Sequence, residues 1–443
     1  MPHNPILRAS IAIGVVTIGA KLLGYGEKLV LAYFFGTDYR IDVYNVVITV
    51  ITGVFIFSRE IIEPAFLNVF INAIGEKDER SAWGLFNRYS RGIILITMLL
   101  SLLVYFYPGA VISLVAPGFA NGKRQLAVRL IQIAFPACIF LSLSALTNIT
   151  LNGMKKFVLP ASADLAFKGL TLLCLVFLYK YLGIYAAVVG VIIGAVSKLS
   201  IQFSLLHRKL SFRAGFVDPV YSKNIWRLSW PLLLGVSFSQ INTLAENVFA
   251  SYMQEGAISA LSYSKKVIDL PILIISYTLS VVVFPYFVEL SVAKEKEKLT
   301  RLLARALGYI TLIYLPLSLL SFLFSREIVE LIFKRGAFDN AAVKLTATPL
   351  AYYSIGMVFF SLETILVIFY FANSNTRTPI FWGVVTVIEN ILLCYIFTST
   401  IGYAGIALAL TLSKGTKVIA LLSQLKRYIN VSCLYPGRIP LRI

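Results

Sequence analysis

Two histidines, four cysteines and 14% charged residues are few for 443 residues, and each shortage removes a class of function. The histidines, His3 and His207, stand far apart, and no H-E-x-x-H or similar spacing occurs, so no metal centre is expected. The cysteines (Cys138, Cys174, Cys394 and Cys433) lie mostly in apolar runs without redox or metal spacing and read as small core residues. A G-x-x-x-x-G-K-[ST] loop is absent, so the chain carries no visible nucleotide-driven pump. Long polar loops are missing as well. The longest expected outer loop, about residues 115–128, has no catalytic constellation, which argues against a membrane glycosyltransferase or ligase. No enzymatic activity and no cofactor are expected.

What is present is apolar. The chain is 58% hydrophobic with a mean hydropathy of +0.82, the composition of a polytopic membrane protein. Segments of spanning length run at about 9–35, 43–72, 92–114, 129–151, 158–179 and 182–205. Six more run at about 228–253, 258–288, 306–325, 345–371, 379–399 and 401–423, giving twelve. The start, through Arg8, resembles a signal-peptide n-region, but Lys21 interrupts the apolar stretch without a cleavage site, so an uncleaved first helix is expected.

The net charge of +19 is not a nucleic-acid signal, because most of it sits in alternate loops. Lys77, Arg80, Arg88, Lys155, Lys156, Arg208, Arg213, Lys294, Lys296, Arg301 and Arg377 fall on one side, with both termini, which the positive-inside rule makes cytoplasmic. The run Lys294–Arg305 reads as a charged helix on that surface with a solvated face.

The chain also repeats itself. A shift of 219 aligns Glu27 with Glu246, Tyr33 with Tyr252, Pro160 with Pro379, and Lys198 with Lys417. At about 218, Ala116-Pro-Gly-Phe119 answers Lys334-Arg-Gly-Ala-Phe338. The expected fold class is therefore an all-α polytopic membrane protein: about 12 transmembrane helices in two parallel six-helix lobes around a central cavity. Residues 1–212 form one lobe, 213–227 a cytoplasmic linker, 228–427 the second lobe, and 428–443 a short cytoplasmic tail. Six helices per half keep the copies in one orientation, an architecture suited to alternating access.

Ionisable residues at membrane depth are the candidate functional groups. On the first helix, Lys21 and Lys28 share a face seven residues apart, with Glu27 a third of a turn away. Glu246 is the repeat mate of Glu27, and the two are candidate coupling groups. On the second span, Glu60 and Glu63 share a face beside Arg59 and before Pro64, as either a capping cluster or a gate. Asp42 opens that span from the outer side. On the eighth, Lys265 and Lys266 can each meet Asp269 at helical spacing, and Pro271 frees a backbone carbonyl. Glu363 and Glu389 either carry a proton or bond a neighbouring helix. Asp164 and Lys168 read as a self-neutralising i,i+4 pair, and Lys198 and Lys417 as snorkelling residues. Gly190-x-x-x-Gly194 is a close helix-packing motif.

These segments resemble the MurJ (MviN/MVF) family of lipid II flippases, within the multidrug/oligosaccharidyl-lipid/polysaccharide exporter superfamily. The carriers are Lys21-Leu-Leu-Gly-Tyr-Gly-Glu-Lys28 with Ala32-Tyr-Phe-Phe-Gly36 and Asp42, Ala116-Pro-Gly-Phe-Ala120, Phe135-Pro136, Gly235–Gln240, Tyr263–Pro271 and Leu331–Phe338. The resemblance implies a cationic cavity that receives the pyrophosphate of a lipid-linked sugar. In the family pattern S-R-x-L-G-x-x-R-[DE], Lys21 stands at the first arginine, Glu27 at the second, and Lys28 at the acid, so that pair is inverted. A further family arginine falls at or near Phe55; Lys266 matches a cationic position and Asp42 an acidic one. Family members often carry two further spans, for which the stretch Val431–Ile443 is unsuited.

The resemblance thus implies a flippase for lipid II or a related polyprenyl-pyrophosphate-linked glycan, serving peptidoglycan or envelope polysaccharide synthesis in the bacterial cytoplasmic (inner) membrane. Substrate-binding candidates are Lys21, Lys28, Lys265, Lys266 and Asp42; coupling or gating candidates are Glu27, Glu246, Asp269, Glu60 and Glu63. The expected drive is membrane potential or an H+ or Na+ gradient. Expected partners are the glycan lipid, membrane lipid and the envelope-synthesis machinery, with no nucleic acid. A cation-coupled drug or metabolite antiporter and a non-transporting scaffold are the alternatives.

Overall fold

The computed structural model describes residues 5–75, 78–207 and 219–425, with side chains left undescribed at 5–13, 15, 61–65, 121, 219–232 and 234. All regular structure among them is helical. Two compact units emerge: residues 1–255 with 335–338, and residues 256–334 with 339–443.

The first unit begins with α1 (Pro5–Phe35), α2 (Tyr39–Gly75), α3 (Glu79–Phe106) and the short α4 (Pro108–Val115). Helix α3 starts earlier than hydropathy alone suggests because Asp78 caps it, accepting from the Ser81 backbone N–H at 3.0 Å. Pro108 then sits in the first turn of α4, ending the expected span at Phe106. The fourth span is a pair, α5 (Asn121–Ala134) and α6 (Ala137–Gly153), bent by 45° at Phe135-Pro136. Helices α7 (Val158–Leu182), α8 (Tyr185–Leu206) and α9 (Pro219–Ser251) follow. The repeat makes α9 the first helix of the second half, yet it packs along α2, so the compact boundary falls after Glu255. Of the expected linker, residues 213–218 lie outside the described residues and 219–227 belong to α9; the tail beyond Leu425 also lies outside them.

Glycines set the closest approaches. A Cβ at Gly190 would lie 2.8 Å from the Thr171 carbonyl oxygen, and one at Gly194 2.7 Å from that of Phe167, so α8 rests directly on the α7 backbone. Gly19 and Gly26 of α1 face Leu165 and Leu172 of α7. A buried cluster including Phe66, Phe70, Phe86, Leu146 and Ile149 joins α2, α3 and α6.

The second unit contains α10 (Ala257–Pro271), a π-helical turn over Ile272–Tyr277, α11 (Thr278–Val292), α12 (Lys296–Leu323), α13 (Ser325–Phe333), α14 (Asn340–Ala372), α15 (Arg377–Ile401) and α16 (Ala404–Gln424). The repeat is visible in the elements: α7 and α15 begin 219 residues apart, as do α8 and α16. The break at Pro271 is used. Tyr314 donates its hydroxyl to the Pro271 carbonyl at 2.8 Å and accepts from Ser276 at 2.9 Å, satisfying polar groups that the π turn disturbs.

The helices turn apolar surface outward. Leu95, Ile96, Leu99 and Leu103 of α3, and Leu312, Leu315, Leu319 and Leu323 of α12, are all more than half exposed, an arrangement stable in lipid and not in water. Nine helices among the described residues are long and apolar enough to cross a membrane, ten with the bent pair as one span. Helices α1 and α9 are the other two segments of the twelve expected from hydropathy; α1 carries Lys21, Glu27 and Lys28 in its described part. The chain is an all-helical, multi-pass membrane protein.

Candidate functional site

The charges of α1 are gathered by α2 and α7. Glu27 is 6% exposed; it accepts from Lys168 Nζ at 2.9 Å and from the Tyr44 hydroxyl at 3.1 Å. Lys28 donates to Asn45 Oδ1 at 2.8 Å, so adjacent residues of α2 hold adjacent residues of α1. Lys21 is exposed. The stem of Lys168 lies across Gly24, where a Cβ would touch its Cε at 3.6 Å.

The expected Asp164–Lys168 pair does not form. Lys168 turns to Glu27, and Asp164 instead pairs with Lys198 at 2.7 Å. Burial decides this. A carboxylate as enclosed as Glu27 is costly without a cation, whereas the Asp164 side chain is 44% exposed and needs one less. Lys198 does not snorkel either. It is buried, with its Nζ 5.1 Å from the centre of the Phe55 ring.

Other candidates of the first unit are more ordinary. Asp42 is buried at 2% exposure, with Lys123 Nζ 3.8 Å away. Glu246 accepts from Asn242, one turn earlier on α9, at 2.9 Å. Arg59 and Glu60 are exposed, and the Glu63 side chain lies outside the described residues. In the turn between α1 and α2, burial pushes the Asp38 carboxyl up. Hydrogen bonds from the Arg40 side chain (2.9 Å) and backbone N–H (2.8 Å) outweigh that and hold it below the usual carboxylate range.

In the second unit, Lys266 and Asp269 are exposed on α10 and Lys265 is half-buried. A denser cluster lies on α14 and α16. Glu363 accepts from Lys414 at 2.8 Å and Lys417 at 2.6 Å; it bonds its neighbouring helix, one of the two roles expected for it. Lys417 is therefore paired and does not snorkel. Glu389 accepts from Thr416 at 2.8 Å. Lys414 was not legible as a partner. A signal for it existed in the repeat, which sets Gly383 opposite Asp164, so the carboxylate for Lys417 has to come from another helix. Lys417 Nζ lies 3.6 Å from where a Gly383 Cβ would stand.

Two glycine loops close on helix ends within the first unit. Gly118 donates its N–H to the Ser251 hydroxyl at 3.0 Å, and its Cβ position is 2.5 Å from the Ser251 carbonyl oxygen. Ala337 N–H donates to the Tyr33 carbonyl at 2.8 Å, and a Cβ on Gly336 would fall 2.4 Å from that same oxygen. Gly118 and Gly336 are repeat mates, as are Tyr33 and Tyr252. Each half thus places its glycine loop on the end of the other half's first helix.

Comparison with known proteins follows the same lines. A family model described as lipid II flippase MurJ matches residues 31–435. A probable lipid II flippase MurJ of Vibrio cholerae is 25% identical over 98% of this chain and 82% of its own length. The lipid II flippase MurJ of Burkholderia cenocepacia is 25% identical over 91% of this chain and 81% of its own. Among solved structures, an inward closed conformation of lipid II flippase MurJ superposes with a TM-score of 0.83, at 24% identity, covering 96% of this chain and 89% of that one. An inward-facing MATE family multidrug transporter of the MOP superfamily gives 0.79 at 13% identity, covering 97% and 99%, a likeness of fold. With its family match spanning nearly the whole chain, its helical repeat, and its charged first helix, the chain belongs to the lipid II flippase MurJ family.

Proposed function

We propose that the chain is a lipid II flippase, carrying the polyprenyl-pyrophosphate-linked glycan from the cytoplasmic to the outer leaflet by alternating access. One observation supports this most: α1, within an otherwise apolar shell, keeps its ammonium groups more exposed than its carboxylate. Glu27 is buried and neutralised, while Lys21 is exposed and Lys28 half-buried. Such a face suits an anion. In this reading Lys21 and Lys28 are the first unit's candidates for binding the pyrophosphate, Lys265 and Lys266 of α10 are the second unit's, and the polyprenyl tail stays in lipid. Asp42, enclosed beside Lys123, is a further substrate-binding candidate. Both termini are cytoplasmic, in the bacterial inner membrane, and the envelope-synthesis machinery supplies and consumes the cargo. Membrane potential or an H+ or Na+ gradient drives the cycle. Glu27 and Glu246 are the coupling groups: protonating Glu27 would release Lys168. Asp269, Glu60 and Glu63 gate the passage.

Binding tests this reading. Lipid II titrated onto the detergent-solubilised protein should bind more weakly as salt rises. Lys21→Ala, Lys28→Ala and Lys266→Ala should each weaken it by about tenfold, the loss of one hydrogen bond to a charged group. Equal affinity in all three variants would remove these lysines from the site.

A further inference from the structure

We infer that Lys168 of α7 is a further phosphate-facing cation of this site, held in place by Glu27 and Tyr44; the inference rests on the flippase reading. Position 27 of the first helix holds a carboxylate, and the structure shows what that carboxylate does. Its partner across the helix boundary is an ammonium group 2.9 Å away. The two are unequally exposed: the Glu27 side chain is 8% exposed and that of Lys168 34%. The pair therefore shows its surroundings a cation and hides its anion. Lys168 has three N–H donors, and Glu27 is its one hydrogen-bond partner among the described residues, leaving donors for a ligand oxygen.

The ammonium group is also fixed in place. Tyr44 donates to the other oxygen of Glu27 at 3.1 Å, holding the carboxylate on one axis. The Lys168 stem runs over Gly24, and its Nζ lies 5.1 Å from the Phe167 ring centre. On α2, Asn45, beside Tyr44, holds Lys28 at 2.8 Å. Two ammonium groups from different helices thus lie near one buried carboxylate, and a ligand with two adjacent anionic groups, such as a pyrophosphate, can take a hydrogen bond from each. Lys198 shows the contrast. It approaches Phe55 from α8, but its side chain is 6% exposed and Asp164 neutralises it, so it stays interior.

A purely structural Glu27–Lys168 pair makes a different forecast, and two variants separate the readings. Lipid II, and a matching glycan lipid with a single phosphate, are titrated onto wild type, Lys168→Gln, Lys168→Arg and Glu27→Gln, with melting midpoints measured in parallel. Lys168→Gln should weaken lipid II binding by about tenfold and shrink the preference for two phosphates over one, with Lys168→Arg restoring most of both. Glu27→Gln should tighten lipid II binding, because the ammonium loses its competing carboxylate, even as the melting midpoint falls. If Lys168→Gln and Glu27→Gln lower stability together and leave both affinities at wild-type values, the pair is structural and the inference fails. If Lys168→Gln does not fold, weaker binding in Glu27→Gln overturns it. If wild type binds neither lipid, the flippase reading itself fails.

Discussion

Glu363→Gln is expected to destabilise the protein by about 3–5 kcal/mol, the usual cost of removing one partner from a buried ion pair. The Glu363 side chain is 13% exposed and neutralises two lysines, Lys414 at 31% and Lys417 at 12%. Glutamine fills the same space and can still accept a hydrogen bond, but it leaves two ammonium groups without their counter-charge. At membrane depth an ammonium group without a counter-charge is costly. Thermal unfolding in detergent measures the effect. The triple change Glu363→Leu with Lys414→Met and Lys417→Met should recover most of the loss, since an apolar replacement of similar volume needs no solvation. A melting midpoint for Glu363→Gln equal to wild type would show that the cluster is solvated.

Gly336→Ala is expected to undock the loop at Arg335–Phe338. Its φ is +61°, where an alanine costs roughly 1–2 kcal/mol. The added Cβ would sit 2.4 Å from the Tyr33 carbonyl oxygen and 2.7 Å from that residue's ring. Backbone cannot yield as a side-chain tip does, so overpacking adds about 1–3 kcal/mol. Gly36 closes the seam from the other side: its φ is +57°, and its Cβ position is 2.5 Å from the Ala337 carbonyl oxygen. Hydrogen exchange at the Ala337 amide, which bonds Tyr33, should accelerate about a hundredfold for roughly 3 kcal/mol lost. Gly92→Ala, with nothing within 4 Å of the new Cβ, is the control and should leave that amide as it is. Unchanged exchange in Gly336→Ala would mean the loop is not docked in solution.

Where the sequence could be read, the signal was periodic or long. Spanning runs, the 219-residue repeat, the small-residue contact at Gly190 and Gly194, and the enclosed charge on α1 all come from local pattern or fixed offset. The boundaries of α3 and α4 needed finer cues, the Asp78 cap and the Pro108 start, which hydropathy averages over. Ion pairing was the part that local reasoning misread. Asp164 and Lys168 have ideal i,i+4 spacing, but that spacing is worth only about 0.2–0.5 kcal/mol, and a buried Glu27 on another helix outweighs it. Which carboxylate meets which lysine depends on helix neighbours, and those are set by packing. The repeat helped there: matching Lys198 to Lys417, and Asp164 to Gly383, marks where the second half had to find its counter-charge elsewhere.

We propose that the charged first helix serves an anionic lipid head group. The direct test is translocation in sealed vesicles holding the purified protein, with fluorescent lipid II added to one leaflet and its arrival in the other followed over time. Without nucleotide, wild type should move lipid II under an imposed membrane potential or ion gradient, and Lys21→Ala and Lys266→Ala should slow it. If lipid II stays where it was placed while a small organic cation crosses under a proton gradient, the protein is a cation antiporter of the same fold and the claim is wrong.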